Sequence, residues 1–176
     1  MAKKLIRRYL PDPHKIRDHK HLRLFGTLLH DPNLWHLNRR SASGAFAVGL
    51  FMAFMPMPFQ MIPAAGLAIL FHVNLPIAIA LVWITNPFTI APVSYFCYYL
   101  GAWILGTPVH AVEFEISWEW ISTELIRIWK PFLLGSLLVS SVSAAAGFFG
   151  IRALWRWHVI RDWEKRKKER AKPSLS

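Results

Sequence analysis

The central part of this sequence lacks formal charge. No Lys, Arg, Asp or Glu occurs among the 72 residues from Ser41 to Val112, although the whole chain has a net charge of +11. Charged side chains normally cover the surface of a soluble domain, so a run of this length argues against a soluble fold. Because 54% of all residues are hydrophobic, the composition predicts an all-α integral membrane protein.

Cysteine is almost absent. The single Cys97 lies in an apolar run, which excludes both an intrachain disulfide framework and a cysteine-based metal site. Several histidines occur near the start of the chain, but their spacing fits no compact ligand set and no carboxylate completes one. We therefore expect neither a metal nor another cofactor. The histidines concerned are His14, His19, His21, His30 and His36.

Acidic side chains are also absent from the apolar part of the chain. General acid–base catalysis usually needs a carboxylate or a positioned histidine, and the uncharged run offers only His72 and His110. No Ser-His-Asp pattern and no Gly-rich phosphate loop stands out in the sequence. The sequence thus predicts no catalytic residue and a protein that is not an enzyme.

Basic residues are concentrated at the two ends. Residues 1–40 carry ten Lys or Arg against three acids and residues 151–176 carry nine against three, whereas residues 113–130 carry four Glu against two basic residues. Cytoplasmic loops are enriched in Lys and Arg, so both termini of this multi-pass protein are predicted in the bacterial cytoplasm and the connector outside the inner membrane. Basic clusters beside a membrane attract anionic lipids. These lipids, rather than nucleic acid, are the expected partners.

Prolines divide the apolar part into short helical segments. The predicted helix breaks are at Pro56, Pro58, Pro63, Pro87 and Pro92, because proline removes a backbone donor and restricts the residue before it. The predicted segments are Ser43–Met55, Ile62–His72, Leu75–Thr85 and Thr89–Leu105. Most are too short for a hydrocarbon layer of about 30 Å. They predict two short broken-helix hairpins of re-entrant type, at about 43–71 and 75–105.

The rest of the chain completes this fold. An apolar stripe predicts an external amphipathic helix at the membrane interface over about 117–130, and about 132–154 is predicted as a full transmembrane helix against which the hairpins pack. The resulting domains are a basic cytoplasmic or interfacial helical segment (1–40), a membrane domain (41–155) and a basic cytoplasmic tail (156–176).

Two similar hexapeptides lie inside the uncharged run. PFQMIP at 58–63 and PFTIAP at 87–92 share the order Pro, Phe, polar, two apolar residues, Pro, which predicts an internal repeat. In transporters, broken helices from paired repeats meet near the middle of the membrane and point their N-termini at anionic groups. Thr89 is expected to cap the helix that follows it. The candidate substrate-binding residues are Gln60, Thr89, Asn86 and His72. The candidate headgroup-contacting residues are Arg39, Arg40, Arg152 and Arg156.

Residues 35–150 resemble a known bacterial family. The similarity is carried by GLF (49–51), PMPFQM (56–61), NLP (74–76), NPFT (86–89) and YYLG (98–101), which are similar to the membrane family called domain of unknown function 2062. The resemblance implies a bacterial membrane protein and supplies no activity. Relatives in this family are sometimes joined to glycosyltransferase-like domains, which implies a connection with lipid-linked sugars.

Two functions remain open on the sequence. One is a small transporter or lipid-translocating protein with a mid-membrane site at the two helix breaks. The other is a non-catalytic membrane scaffold, or an accessory subunit of a membrane or lipid-linked-sugar enzyme, in which the polar residues only satisfy the broken backbone. Lipid cannot satisfy exposed backbone groups, so either function predicts a homo-oligomer or a partner membrane protein that covers the breaks.

Overall fold

A computed structural model describes residues 32–108 and 118–170 of the chain. Every regular element in these two ranges is helical, which confirms the all-α prediction. A short 3₁₀ turn, Pro32–Trp35, precedes five α-helices: α1 (Arg39–Phe54), α2 (Met61–Leu70), α3 (Leu75–Val82), α4 (Ile90–Leu105) and α5 (Trp118–Arg170). Most of the predicted segment 1–40 and the end of the tail lie outside the described residues.

Polar and glycine residues set the helix ends. The side-chain oxygen of Asn38 accepts a hydrogen bond from the Ser41 N–H (2.7 Å), and that of Asn74 accepts from the Ile77 N–H (3.1 Å). Each asparagine therefore satisfies a free donor in the first turn of a helix. Gly106 ends α4 with φ of 64°, a left-handed conformation that glycine adopts without the steric cost of a side chain. These local signals explain why the four short helices match the four predicted segments closely.

Helix α5 is the axis of the fold. Its 53 residues span roughly 80 Å at the α-helical rise. Over residues 128–164 it is long and apolar enough to cross a membrane. Helices α4 and α1 both pack against α5, α4 beside its first part and α1 beside its later part.

Close contacts give the direction of both helices relative to α5. Gly101 of α4 lies against Pro131, whereas Cys97 lies against Gly135, so α4 runs antiparallel to α5. Helix α1 is also antiparallel to α5, because Gly147 contacts Phe46 and Leu50 while Ile151 and Trp155 pack against the cluster that contains Ala42 and Leu34. Helices α1 and α4 therefore contact successive parts of α5 and point the same way.

Helices α2 and α3 cover α1. The Asn74 N–H donates to the Ser41 carbonyl (3.4 Å), and the Thr85 hydroxyl donates to the Ala53 carbonyl (2.8 Å), so α3 runs parallel to α1. Helix α2, which lies between α1 and α3 in the sequence, runs antiparallel to both. The turn 71–74 then brings the chain back beside the start of α1.

Small side chains make this close packing possible. Fully buried alanines occupy the contacts between α1, α2 and α3, and glycines remove side chains where backbones meet, as in many membrane helix pairs. A Cβ added at Gly49 would overlap the Ala78 carbonyl oxygen and the Leu81 side chain. The buried alanines of these three helices are Ala42, Ala45, Ala53, Ala64, Ala65, Ala68 and Ala78.

Two predicted elements differ from the structure. The predicted interfacial helix 117–130 and the predicted span 132–154 form one continuous helix that contains Pro131. Proline removes one internal hydrogen bond, and helix-forming residues on both sides continue α5 through that position. The predicted hairpin 75–105 is not formed, because α3 and α4 run in the same direction. Helical-type bonds to the carbonyls of Val82 and Asn86 carry the chain forward between them.

We predict that Gly101→Ala lowers the free energy of unfolding by about 1–3 kcal/mol, the usual cost of overpacking a tight contact. The added Cβ would overlap the Pro131 carbonyl oxygen and force α4 away from α5. The matched control is Gly150→Ala, since nothing lies within 4 Å of a Cβ at Gly150. Thermal unfolding in detergent, followed by tryptophan fluorescence, compares the two variants. Equal midpoints would contradict the proposed contact between the two helix backbones.

Candidate functional site

Four helix ends meet at one level of the fold. Helices α1 and α3 end there, and α2 and α4 begin there. The contacts of α4 with Gly135 and of α1 with Gly147 can be extended along α5 by the rise per residue of a helix. They place this level near Ser140, about midway between Lys130 and Arg152. Each helix end leaves backbone N–H or C=O groups without partners in the helix, so this level needs polar side chains.

Gln60 and Thr85 satisfy the ends of α1 and α3. The side-chain nitrogen of Gln60 donates to the Met55 carbonyl (2.6 Å), just after the end of α1. The Thr85 hydroxyl lies near the carbonyls of Ala53 (2.8 Å) and Val82 (3.1 Å) and the side-chain oxygen of Gln60 (3.2 Å). A single proton is thus shared among three acceptors, and the two side chains connect the last turns of α1 and α3.

Asn86 and Thr89 form a second, separate set of contacts. The side-chain oxygen of Asn86 accepts from the N–H groups of Phe88 (2.9 Å) and Thr89 (3.1 Å). The Thr89 hydroxyl donates to the Ile84 carbonyl (2.7 Å) and accepts from the Asn86 N–H (2.9 Å). These short-range bonds close the turn between α3 and α4, so both side chains are engaged with their own backbone.

The two hexapeptides have equivalent places in the fold. Gln60 is the N-cap residue of α2 and Thr89 is that of α4, while Pro63 and Pro92 fall in the first turns. The prediction that the Thr89 side chain caps α4 is wrong, because neither N-cap side chain bonds to the helix that it precedes. Instead, both side chains reach back to carbonyls of the preceding segment. The remaining predicted breaks, Pro56, Pro58 and Pro87, lie in the two connections.

A cavity of about 340 Å³ lies beside the meeting point of the helix ends. Its wall includes Gln60, Thr85, Cys97 and Ser136, together with apolar residues of α1, α4 and α5. The Ser136 hydroxyl is buried and its hydrogen-bonding neighbour is the Cys97 thiol; the buried Ser140 hydroxyl one turn further along α5 has no hydrogen-bond partner. A thiol is a weak hydrogen-bonding group, so Ser136 retains capacity to bond a polar group at this wall.

His72 is far from the other candidate substrate-binding residues. It lies in the turn between α2 and α3, at the opposite end of these helices from Gln60, and its φ of 50° is left-handed. There it lines a small cavity of about 270 Å³ with Asn38, Arg40 and Ser41. The structure therefore divides the predicted site into the helix breaks and a region around the start of α1.

Three of the four predicted headgroup-contacting arginines meet in that second region. Arg39 and Arg40 from α1 and Arg152 from α5 line an open cavity of about 730 Å³. Phe71 and Phe148 contribute apolar walls, and the Arg152 guanidinium lies over the Phe148 ring at 5.0 Å from its centroid, within cation–π range. Arg156 is exposed one turn further along α5 and does not line the cavity.

Sequence reasoning missed three residues of these regions. Thr85 stands before the Asn86-Pro87 break, a signal that pointed to Asn86 but applies equally to its neighbour. Ser136 carries only the general signal of a small residue in a transmembrane helix, and Ser41 carries no local signal. Their positions depend on contacts between distant parts of the chain, which no local pattern contains.

The two regions present different chemical groups. Within residues 32–108 and 118–170, no group of three His, Cys, Asp or Glu side chains is placed to hold a metal ion. The break region offers hydroxyl and amide groups, and the arginine cavity offers positive charge beside aromatic rings. Such groups hold polar or anionic parts of a ligand.

We predict that Thr85→Val lowers the free energy of unfolding by about 1–3 kcal/mol, because the change leaves buried acceptors without a donor. Thr85→Ser retains the hydroxyl and should recover most of the loss. The control is Thr107→Val, whose hydroxyl bonds the Ala102 carbonyl (3.4 Å) at an exposed helix end. Thermal unfolding in detergent measures all three, and equal losses for Thr85→Val and Thr107→Val would show that the shared bond does not stabilise the break.

Comparisons with known proteins extend this description. Searches of curated proteins and of solved structures found no match. The sequence model of a bacterial family, described as "Uncharacterized protein conserved in bacteria (DUF2062)", matches residues 22–164. This match covers α1 to α4 completely and nearly all of α5, so both candidate regions fall within it. The chain is therefore a member of the DUF2062 family of bacterial proteins.

Proposed function

We propose that this protein is a non-catalytic, multi-pass protein of the bacterial inner membrane that moves an amphipathic lipid past the helix breaks. Helix α1 enters from the cytoplasm, turns at residues 55–60 and returns through α2. Helices α3 and α4 together make one crossing with a break in the middle, and α5 makes the second. Both termini then lie in the cytoplasm, in agreement with the basic ends of the chain.

Helix dimensions support this orientation. Lys130 and Arg152 of α5 are roughly 33 Å apart along the helix axis, which is close to the hydrocarbon thickness of about 30 Å. Helix α1 has 16 residues and a length of roughly 24 Å, so it is too short to cross the hydrocarbon layer. The charged residues at both limits would lie at the headgroups, and the meeting point of the helix ends would lie near mid-depth.

The observation that carries the translocation proposal is the cavity at this depth. Irregular backbone in the hydrocarbon layer survives where protein buries it or where it faces a polar cavity, and discontinuous helices of transporters form their sites in this way. The Ser136 side chain, 1% exposed and contacted by the weakly hydrogen-bonding Cys97 thiol, supplies a polar group on the cavity wall. A headgroup that passes along α5 would meet it roughly 9 Å from the level of Lys130.

The orientation predicts a labelling pattern. In a Cys97→Ser background, Thr107→Cys should react with an impermeant maleimide added outside intact cells, because the end of α4 faces the exterior. Glu164→Cys should react only after the membrane is permeabilised. Labelling of Glu164→Cys in intact cells would contradict the cytoplasmic position of the end of α5.

Translocation predicts that the protein speeds lipid movement between leaflets. Vesicles of phosphatidylethanolamine, phosphatidylglycerol and a trace of fluorescent lipid would be treated with an impermeant reductant. The wild-type protein should raise the reduced fraction above that of the outer leaflet alone. Ser136→Leu should abolish the increase, because it fills the cavity and removes the hydroxyl from its wall. Equal activity of Ser136→Leu and wild type would exclude the cavity from the path.

The matched control is Ser141→Leu. Ser141 is exposed on α5, and its hydroxyl donates to the Leu137 carbonyl of the same helix (2.7 Å). This variant introduces the same side chain outside the cavity and should retain lipid movement. Unfolding midpoints of both variants separate a blocked cavity from a damaged fold. If the fluorescent lipid crosses between leaflets no faster in vesicles with the wild-type protein than in protein-free vesicles, the translocation proposal is overturned.

A static scaffold is the second candidate. It is favoured by the polar side chains at the breaks, since Gln60, Thr85, Asn86 and Thr89 all bond within the protein. Phe59 and Phe88 beside the breaks are 70% and 91% exposed and offer a surface for a second copy or a partner membrane protein. Vesicles without lipid movement, combined with a stoichiometric partner in native mass measurements, would support this function.

A further inference from the structure

We propose that the cavity between Arg39, Arg40 and Arg152 binds the terminal phosphate of an anionic lipid from the cytoplasmic leaflet. The inference rests on the membrane orientation proposed above, but it does not require lipid movement. It assigns a ligand class, a phosphomonoester or diphosphate on an apolar tail, to a site formed by α1, the turn 71–74 and α5.

The charge of the cavity favours a multiply charged group. Three guanidinium groups line it, and none of its described lining residues is acidic. Arginine binds phosphate oxygens through pairs of parallel hydrogen bonds. A phosphomonoester carries a charge of about −1.5 to −2 at neutral pH, whereas the phosphodiester of phosphatidylglycerol carries a single negative charge. The monoester thus compensates more of the positive charge.

A buried hydroxyl beside the arginines also points to a polar ligand. The Ser41 hydroxyl is 4% exposed and has no hydrogen-bond partner. It lines the small cavity next to the arginine cavity, and the two share Arg40, Phe71 and Val73. Ser41 also lies in the first turn of α1, where the helix dipole adds positive potential. A phosphate between Arg40 and Ser41 would find donors on both sides.

The tip of the α2–α3 hairpin holds one wall in place. Gly44 allows Val73 to pack directly on α1, since a Cβ at that position would overlap the Val73 side chain. The Asn74 N–H also donates to the Ser41 carbonyl (3.4 Å). Contacts with α1 therefore hold this wall in place. His72 within it has the left-handed backbone conformation that the tight turn requires.

The remaining lining fits an acyl or prenyl tail. Ala47 and Val48 of α1 and Phe148 of α5 continue the cavity wall from the arginines toward the middle of the helices. In the proposed orientation these residues lie on the hydrocarbon side of Arg152, so a tail would enter the membrane while its phosphate stays at the headgroup level. A free phosphate ion would gain nothing from this apolar part, which distinguishes the lipid from inorganic phosphate.

The test measures lipid binding to the full-length protein in zwitterionic phosphatidylcholine nanodiscs. Phosphatidic acid should bind at least about tenfold more tightly than phosphatidylglycerol. Arg152→Gln should weaken the binding of phosphatidic acid by about tenfold, the usual effect of losing a charge-assisted hydrogen bond. Ser41→Ala should weaken this binding by a smaller factor. The matched control is Arg156→Gln, which removes the same charge from the next turn of α5 outside the cavity.

Each outcome bears on the inference. Equal affinities for the two lipids, or equal losses in Arg152→Gln and Arg156→Gln, would overturn it, as would inorganic phosphate that competes at the affinity of phosphatidic acid. Unchanged unfolding midpoints show that the variants remain folded. Selective binding without lipid movement would leave this inference standing and remove the translocation function, whereas lipid movement without selective binding would do the reverse.

Discussion

The fold depends on satisfying backbone groups where four helices end inside the protein. Two C-termini expose carbonyls and two N-termini expose N–H groups at the same level of α5. Gln60 and Thr85 donate to carbonyls at the ends of α1 and α3, and Asn86 and Thr89 close the turn that leads into α4. The polar residues of an otherwise apolar segment are placed where the backbone requires them.

Continuity of α5 makes these interrupted helices possible. The break between α3 and α4 interrupts the hydrogen-bonded backbone, so contacts with neighbouring helices must fix both halves. Helix α4 packs on α5 at Gly101 and Gly135, and α3 packs on α1, which itself contacts α5 at Gly147. The interrupted helices can then carry a break and a cavity beside a continuous helix.

The two candidate regions differ in their chemistry and share one path. The arginine cavity combines positive charge with aromatic walls, and the cavity at the breaks offers neutral hydroxyl and amide groups. Both lie along α5, where their nearest lining residues, Ser136 and Phe148, are roughly 18 Å apart. In the proposed function, an anionic headgroup would be bound more strongly at the first region than at the second.

The sequence by itself determined the uncharged run, the four short helices and the positions of their breaks, because proline, asparagine and glycine act on the backbone next to them. It did not determine the direction of the chain after a break. Only the tertiary structure shows that α3 and α4 form an interrupted line rather than a hairpin, that Thr85 reaches Ala53, and that Arg40 and Arg152 line the same cavity. These pairings depend on the packing of small residues between distant segments. The total free energy of that packing decides among chain arrangements that are equivalent locally.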